Sequence, residues 1–189
     1  MSNPSFVHLD VNTQYSLGRS TIRQDQLIDA CTDMGMPAVG VTDHNNLFSA
    51  YKLYKSAQKK GIKYIIGSTV TILDQKERIK SKLSLLCENE TGYKNLCALI
   101  TQSYTEKLDK NEPLIDKKWL ESRTEGLIAI SSSNNGYLQQ SKSMDESMAL
   151  QWINSLQELF PDRLFVSISR MGIPNEEKLN QLTIELSSN

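Results

Sequence analysis

Apolar positions recur along this chain in two rhythms, short continuous runs and longer stretches of helical period. Phe6 to Val11 is the first run and predicts a strand. A helix from Ile22 to Met34 follows, with Leu27, Ile28, Cys31 and Met34 on one face. Thr21-Ile22-Arg23-Gln24 has capping-box spacing at its start. Ala38 to Thr42, behind Pro37, predicts a short buried strand, and Asp43-His44-Asn45-Asn46 a polar loop leaving its C-terminal end. A helix from Leu47 to Lys60 would turn Ala50, Tyr51, Tyr54 and Ala57 inward and stop at Gly61, which tolerates the left-handed conformation.

The pattern continues with a β-rich run from Tyr64 to Leu73, a charged surface turn from Asp74 to Lys82, and a strand from Leu83 to Cys87. Helices are predicted over Thr91 to Lys107 and, shorter, Asp116 to Ser122, then a strand over Leu127 to Ser131. From Asp145 to Phe160 the residues Ala149, Trp152, Ile153, Leu156 and Phe160 form one apolar stripe. A strand over Leu164 to Ile168 precedes a last helix, capped by Asn175 and carrying Leu179, Leu182 and Leu186. Alternating strands and helices with short connections predict an α/β fold with a mainly parallel sheet, either a (β/α) barrel or a doubly wound sheet. The chain stops after a helix that should feed a further strand, so it reads as truncated.

Composition narrows the function. With 189 residues, 39% of them hydrophobic, the chain is long enough for one domain with a sizeable core and shows no internal linker or repeat. Its net charge of -1 excludes a strongly basic nucleic-acid coat or an acidic tail as a global description. No apolar run is long enough to span a bilayer, and the N-terminus lacks the basic and apolar regions of a secretory signal. Cys31, Cys87 and Cys97 form no CxxC motif and read as core-filling thiols in a reduced, cytosolic setting. The two histidines, His8 and His44, are too few for a histidine-rich zinc site. Glycine-rich phosphate loops, a GxSxG elbow and Asp-x-Asp pairs are all absent, which excludes dinucleotide, P-loop, serine-hydrolase and two-metal polymerase chemistry on this stretch.

In an alternating α/β chain the chemistry gathers at the C-terminal ends of strands. Asp10, Asn12, Asp43 and His44 fall there and are expected to converge on one cleft, with Thr69 and Ser131 to Ser133 on the same rim. Four such oxygen and nitrogen donors suit one divalent ion; a hydrogen-bonded loop without metal accounts for the same residues. His8 reads as a hydrogen-bonded structural histidine. Lys52, Lys55, Lys59 and Lys63 suit a solvated helix face more readily than a nucleic-acid track. Trp119 and Trp152 read as packing anchors.

Several ordered blocks also carry a resemblance. Phe6-Val7-His8-Leu9-Asp10-Val11-Asn12-Thr13-Gln14-Tyr15-Ser16, Gly35-Met36-Pro37-Ala38 and Thr42-Asp43-His44-Asn45-Asn46-Leu47-Phe48 come first. Gly61-Ile62-Lys63-Tyr64-Ile65-Ile66-Gly67 and Asn89-Glu90-Thr91-Gly92-Tyr93-Lys94-Asn95-Leu96 continue them, with Gly126-Leu127-Ile128 and Phe160-Pro161-Asp162-Arg163 further on. Together they resemble the N-terminal PHP (polymerase and histidinol phosphatase) domain of bacterial DNA polymerase III alpha subunits over nearly the whole chain. The resemblance implies a distorted (β/α)7-like PHP barrel, cut before its last strand, at the head of a much longer cytoplasmic, bacterial replicative polymerase. That DNA-directed nucleotidyltransferase, its magnesium and its contact with DNA would lie in segments absent from this chain. Partners so implied are the rest of the alpha subunit and, as in some members, the separate proofreading exonuclease; no membrane is implied.

The family's metal-ligand pattern is broken. Where metal-binding members carry His-x-His after the first strand, this chain has Asp10 and Asn12; an expected acid is Arg19, another is Thr69, and an expected histidine is Lys82. Asp43 and His44 are kept, while a later cysteine and acid fall on Ser133 and Ser167. A cation at about 4 Å repels each unit of ion charge by about 4 kcal/mol at an effective dielectric near 20. No metal, no catalytic residue and no phosphoesterase or exonuclease activity are therefore expected in this stretch. Clustered carboxylates would then call for internal counter-ions, with Arg19 or Lys82 pairing with Asp10 or Asp43. The competing reading is an active metal-dependent phosphoesterase using the residual cleft.

Overall fold

The computed structural model describes residues 6–74, 79–106, 108–109, 112–132, 146–172 and 174–187. Helix α1 (Gln24–Asp33) leads into strand β1 (Ala38–His44), helix α2 (Ala50–Lys60) and strands β2 (Lys63–Asp74) and β3 (Ile79–Cys87). Helix α3 (Glu90–Glu106) follows, then three two-residue strands, β4 (Leu108–Asp109), β5 (Glu112–Pro113) and β6 (Ile115–Asp116). Helix α4 (Lys117–Leu120), strand β7 (Leu127–Ser132), helix α5 (Glu146–Leu159), strand β8 (Leu164–Ser167) and helix α6 (Glu176–Ser187) complete the order.

One sheet runs β1-β2-β3-β7-β8, with β6 added beside β2. It is mixed rather than mainly parallel. β1–β2, β2–β6 and β7–β8 are parallel, while β2–β3 and β3–β7 are antiparallel. Of the stretch expected as a surface turn from Asp74 to Lys82, Asp74 belongs to β2 and Ile79 to Lys82 to its antiparallel partner β3, while residues 75–78 lie outside the described residues. A hairpin needs no crossover helix, which is why the alternation of elements misreads the direction of β3.

Side chains alternate across the sheet. Val39, Val41, Val70, Ile72, Leu83, Leu85, Leu127 and Ala129 are all buried on one face. Leu96 and Leu99 of α3, Leu120 of α4, Ala149, Trp152 and Leu156 of α5, and Leu179 and Leu182 of α6 share the larger core with it. Leu27, Ile28 and Cys31 of α1 and Leu53 and Ala57 of α2 make a second core over Val39 and Val41. The other face is concave. One hydrogen-bonded row across it reads His44, Thr69, Ser84, Ile130, Phe165, and the next Thr42, Gly67, Leu86, Ile128. The face is thus polar at one corner and apolar beyond it, where Ile65, Leu86, Ile130 and Phe165 line a concavity of about 650 Å³ with Phe6 and Asp10.

Several local expectations are corrected. Phe6 to Val11 is extended but joins β1 through only one bridge, Val11 to Val41, and three backbone bonds at Gly40 and Thr42. Helix α1 starts at Gln24 with Arg23 as its N-cap and no side-chain cap, so the Thr21 capping box does not form, and Gln24 Oε1 is buried without a partner. Tyr51 and Tyr54 point outward at 67% and 51% exposure, and Leu53 takes the inward place. His8 is exposed, its ring edge-on to Phe6 at 4.9 Å, and makes no side-chain hydrogen bond within the described residues, contrary to the expected hydrogen-bonded histidine. Gly61 ends α2 in the left-handed conformation as expected, and α4 starts at Lys117, one residue later than predicted, with Asp116 as its N-cap. Ser133 and the Leu186 side chain lie outside the described residues.

Gly40 lets the first segment lie on β1, because a Cβ there would sit 2.7 Å from the Leu9 carbonyl oxygen and 2.9 Å from its Cα. Gly40→Ala is expected to cost about 1–3 kcal/mol as overpacking against backbone. Thermal melting should show a Tm lower by several degrees.

Candidate functional site

The retained Asp43 and His44 are the last two residues of β1, not a loop; the turn begins at Asn45, which has a positive φ. Being consecutive on a strand, they face opposite ways. His44 joins Thr42 on the concave face, and Asp43 joins Val39 and Val41 beneath α1 and α2. Asp43 is 1% exposed. Its Oδ1 accepts from the Thr13 backbone N–H and the Ser16 hydroxyl, and its Oδ2 from the Thr13 and Ser49 hydroxyls, each at 2.7 Å. Ser16 Oγ also accepts from the His44 backbone N–H, and Ser68 donates to the Asp43 carbonyl. One carboxylate therefore ties together the 13–16 turn, the end of β1 and the start of α2.

Asp10 lies on the concave side. Its Oδ1 accepts from the hydroxyls of Thr42, Ser84 (3.0 Å) and Thr69 (3.4 Å), and the Thr69 and Ser84 oxygens are themselves 2.8 Å apart. The expected convergence of Asp10, Asn12, Asp43 and His44 does not occur, because β1 stands between the two carboxylates. Nor do Arg19 or Lys82 pair with either of them; among the described residues, every side chain that bonds these carboxylates carries a hydroxyl. Hydroxyls can satisfy carboxylate lone pairs without bringing in a second buried charge, whose desolvation is costly.

At the mouth of the concave face, Lys82 stands in register with Thr71 and is half-buried. Burial pulls its ammonium below the ordinary value, the Arg19 guanidinium adds to this, and Glu112 opposes it. Arg19 is exposed on the loop after Ser16. Asn12, half-buried, accepts from Ser20 Oγ through its backbone carbonyl at 2.6 Å. His44 has its pKa pushed down to about 4, first by burial and then by Arg19 and Lys82, with Glu112 pulling the other way. Its Nε2 is 3.9 Å from Glu112 Oε1. With the imidazole neutral at pH 7, that contact is a weak dipolar one and not an ion pair.

Glu112 is the site residue that sequence reasoning misses. It accepts from Thr71 Oγ1 and Lys80 Nζ, both at 3.1 Å, and Lys80 also pairs with Asp109 at 2.9 Å. Burial pushes the Glu112 carboxyl up, yet the Lys80 and Thr71 bonds outweigh it and leave it low. Its stretch carries no periodic signal. The hydroxyl set did leave one: Ser68, Thr69, Thr71, Ser81 and Ser84 are polar residues spaced through otherwise apolar strands.

The donors do not suit a metal of the kind the family implies. Asp43 has both oxygens occupied on the far face, and two cations flank the retained His44. Among the described residues no three His, Cys, Asp or Glu side chains are grouped to hold an ion.

Asp43→Asn replaces one accepting oxygen with a donor and orphans buried hydroxyls or N–H groups, each at about 1–3 kcal/mol. Urea denaturation should show a stability loss of at least about 2 kcal/mol. An unfolded histidine titrates near 6.5 and folded His44 near 4, so the unfolded chain takes up the proton first as pH falls. The contribution of His44 to stability is whole above pH 6.5 and is lost as pH drops towards 4. His44→Asn should flatten that part of a pH series of denaturation midpoints.

Comparison with known proteins agrees with this architecture. The PHP domain matches residues 8–171. The DNA polymerase III subunit alpha of Pseudomonas aeruginosa is 35% identical over 97% of the chain, and that of Escherichia coli K12 34% identical over 99%. The chain spans 16% of the length of either relative. Among solved structures, a protein described as a metal-dependent phosphoesterase from Bifidobacterium adolescentis superposes with a TM-score of 0.62 at 11% identity, covering 96% of this chain and 83% of that one. A sheet with helices on one face and a hydroxyl-lined concave mouth on the other, matched by the PHP domain from residue 8 to residue 171, places this chain in the PHP domain family.

Proposed function

We propose that this chain is the N-terminal PHP domain of a bacterial replicative polymerase alpha subunit, a cytoplasmic domain without catalytic chemistry of its own. It acts as a scaffold for the remainder of that subunit, and its surface serves the proofreading exonuclease. Template-directed synthesis, with its magnesium, belongs to the rest of the longer polypeptide. The likeness to polymerase alpha subunits over almost the full chain supports the first part. The hydroxyl-held carboxylates carry the second. A hydrolytic PHP centre needs donors turned towards a common point, and here Asp10 and Asp43 serve opposite faces of β1, each engaged in holding segments of the fold together. No helix among the described residues is long and apolar enough to cross a membrane.

The test is elemental analysis of the purified chain together with hydrolysis of a chromogenic phosphodiester. The expected result is well below one equivalent of zinc or manganese and no activity that a chelator removes. A full equivalent of either metal with chelator-sensitive hydrolysis would instead establish the phosphoesterase reading.

A further inference from the structure

Between Leu47 and Lys63 the chain carries five lysines and no acidic residue, although its overall charge is -1. Most of this stretch is α2, which buries Ala50, Leu53 and Ala57 and turns the rest outward. At 3.6 residues per turn the outward arc runs in order Tyr54, Tyr51, Lys55, Lys59, Lys52. Two exposed phenol rings form one edge and three exposed ammonium groups the other. Lys55 Nζ already sits 4.8 Å from the centroid of the Tyr51 ring, bringing ring and cation together. Phe48, 70% exposed, precedes the helix and meets Tyr15 edge-on at 6.2 Å. The neighbouring α1 carries Asp25, Asp29 and Asp33; Asp25 is held by Arg23 and Asp29 by Lys60 at 3.3 Å. Lys60 is therefore spent on the fold, and Lys52, Lys55 and Lys59 make no ion pair within the described residues.

The two rings stand in water because Ala50, Leu53 and Ala57 already fill the core face of α2. Beside unpaired lysines they offer flat surfaces for bases and charges for phosphates. From Tyr51 to Lys59 the face is about 12 Å long, the rise of about three or four stacked nucleotides. We propose that this face of α2 binds single-stranded nucleic acid without sequence preference, stacking bases on Tyr51 and Tyr54 while Lys52, Lys55 and Lys59 follow the phosphates. The inference rests on the helix surface alone and is independent of the inactive-scaffold reading.

The experiment is fluorescence anisotropy of a labelled oligothymidylate of about 15 nucleotides, titrated with the full chain across a salt series starting near 30 mM. Binding with a dissociation constant of about 10–100 μM at the lowest salt is expected. The Lys52→Gln/Lys55→Gln/Lys59→Gln variant should lower affinity at least about tenfold and remove about two units from the log–log salt slope. Tyr51→Ala/Tyr54→Ala should lower it by a similar factor with the slope unchanged, and Tyr51→Phe/Tyr54→Phe should keep it. All variants should melt with the parent chain, since the replaced side chains are exposed. Absence of binding at low salt, or binding that ignores the tyrosines, would overturn the proposal. So would equal binding of polyglutamate of the same length, which would assign the face to an acidic protein.

Discussion

The buried Asp43 carboxylate is the constraint around which the first third of this chain is arranged. Its four hydrogen bonds come from the 13–16 turn and from Ser49, so the N-terminal segment, β1 and α2 all depend on one side chain. The neighbouring pair divides across the strand: Asp43 faces the helices and holds them, while His44 turns to the concave face and is kept neutral at pH 7 by burial and the nearby cations.

The concave mouth shows what fills the space around such residues. Thr42, Thr69 and Ser84 place their hydroxyls on Asp10 from three adjacent strands. Each is small enough to sit on a strand without disturbing the pleat, and each is neutral. The cations that the altered pattern introduces go elsewhere: Lys82 makes no ion pair within the described residues, and Lys80 rather than Lys82 pairs with Glu112 and Asp109.

How much of this was readable beforehand depended on the range of the interaction. Element positions came through because apolar periodicity is local: α5, β7, β8 and the Gly61 stop all stand where the pattern puts them. The orientation of α2 did not, because Tyr and Leu are both apolar enough to claim the inward face, and only packing against Val39 and Val41 decides for Leu53. The sequence assigns Asp10 and Asp43 to one cleft, and the structure gives them separate sets of partners. Whether Asp10 and Asp43 converge depends on where β1 ends, and extending that strand by two residues turns their side chains apart. Glu112 was invisible because its link to His44 and Thr71 is made by tertiary placement of two very short strands.

The spacing of the Asp10 contacts along the chain has a bearing on how the molecule assembles. Thr42, Thr69 and Ser84 lie 32, 59 and 74 residues away from it, whereas β2 and β3 are adjacent in sequence. Closing long loops costs entropy that only a prepared surface repays. The β2–β3 pairing brings two of those hydroxyls together over a short sequence distance, and Asp10 reaches them only by closing the longer loops.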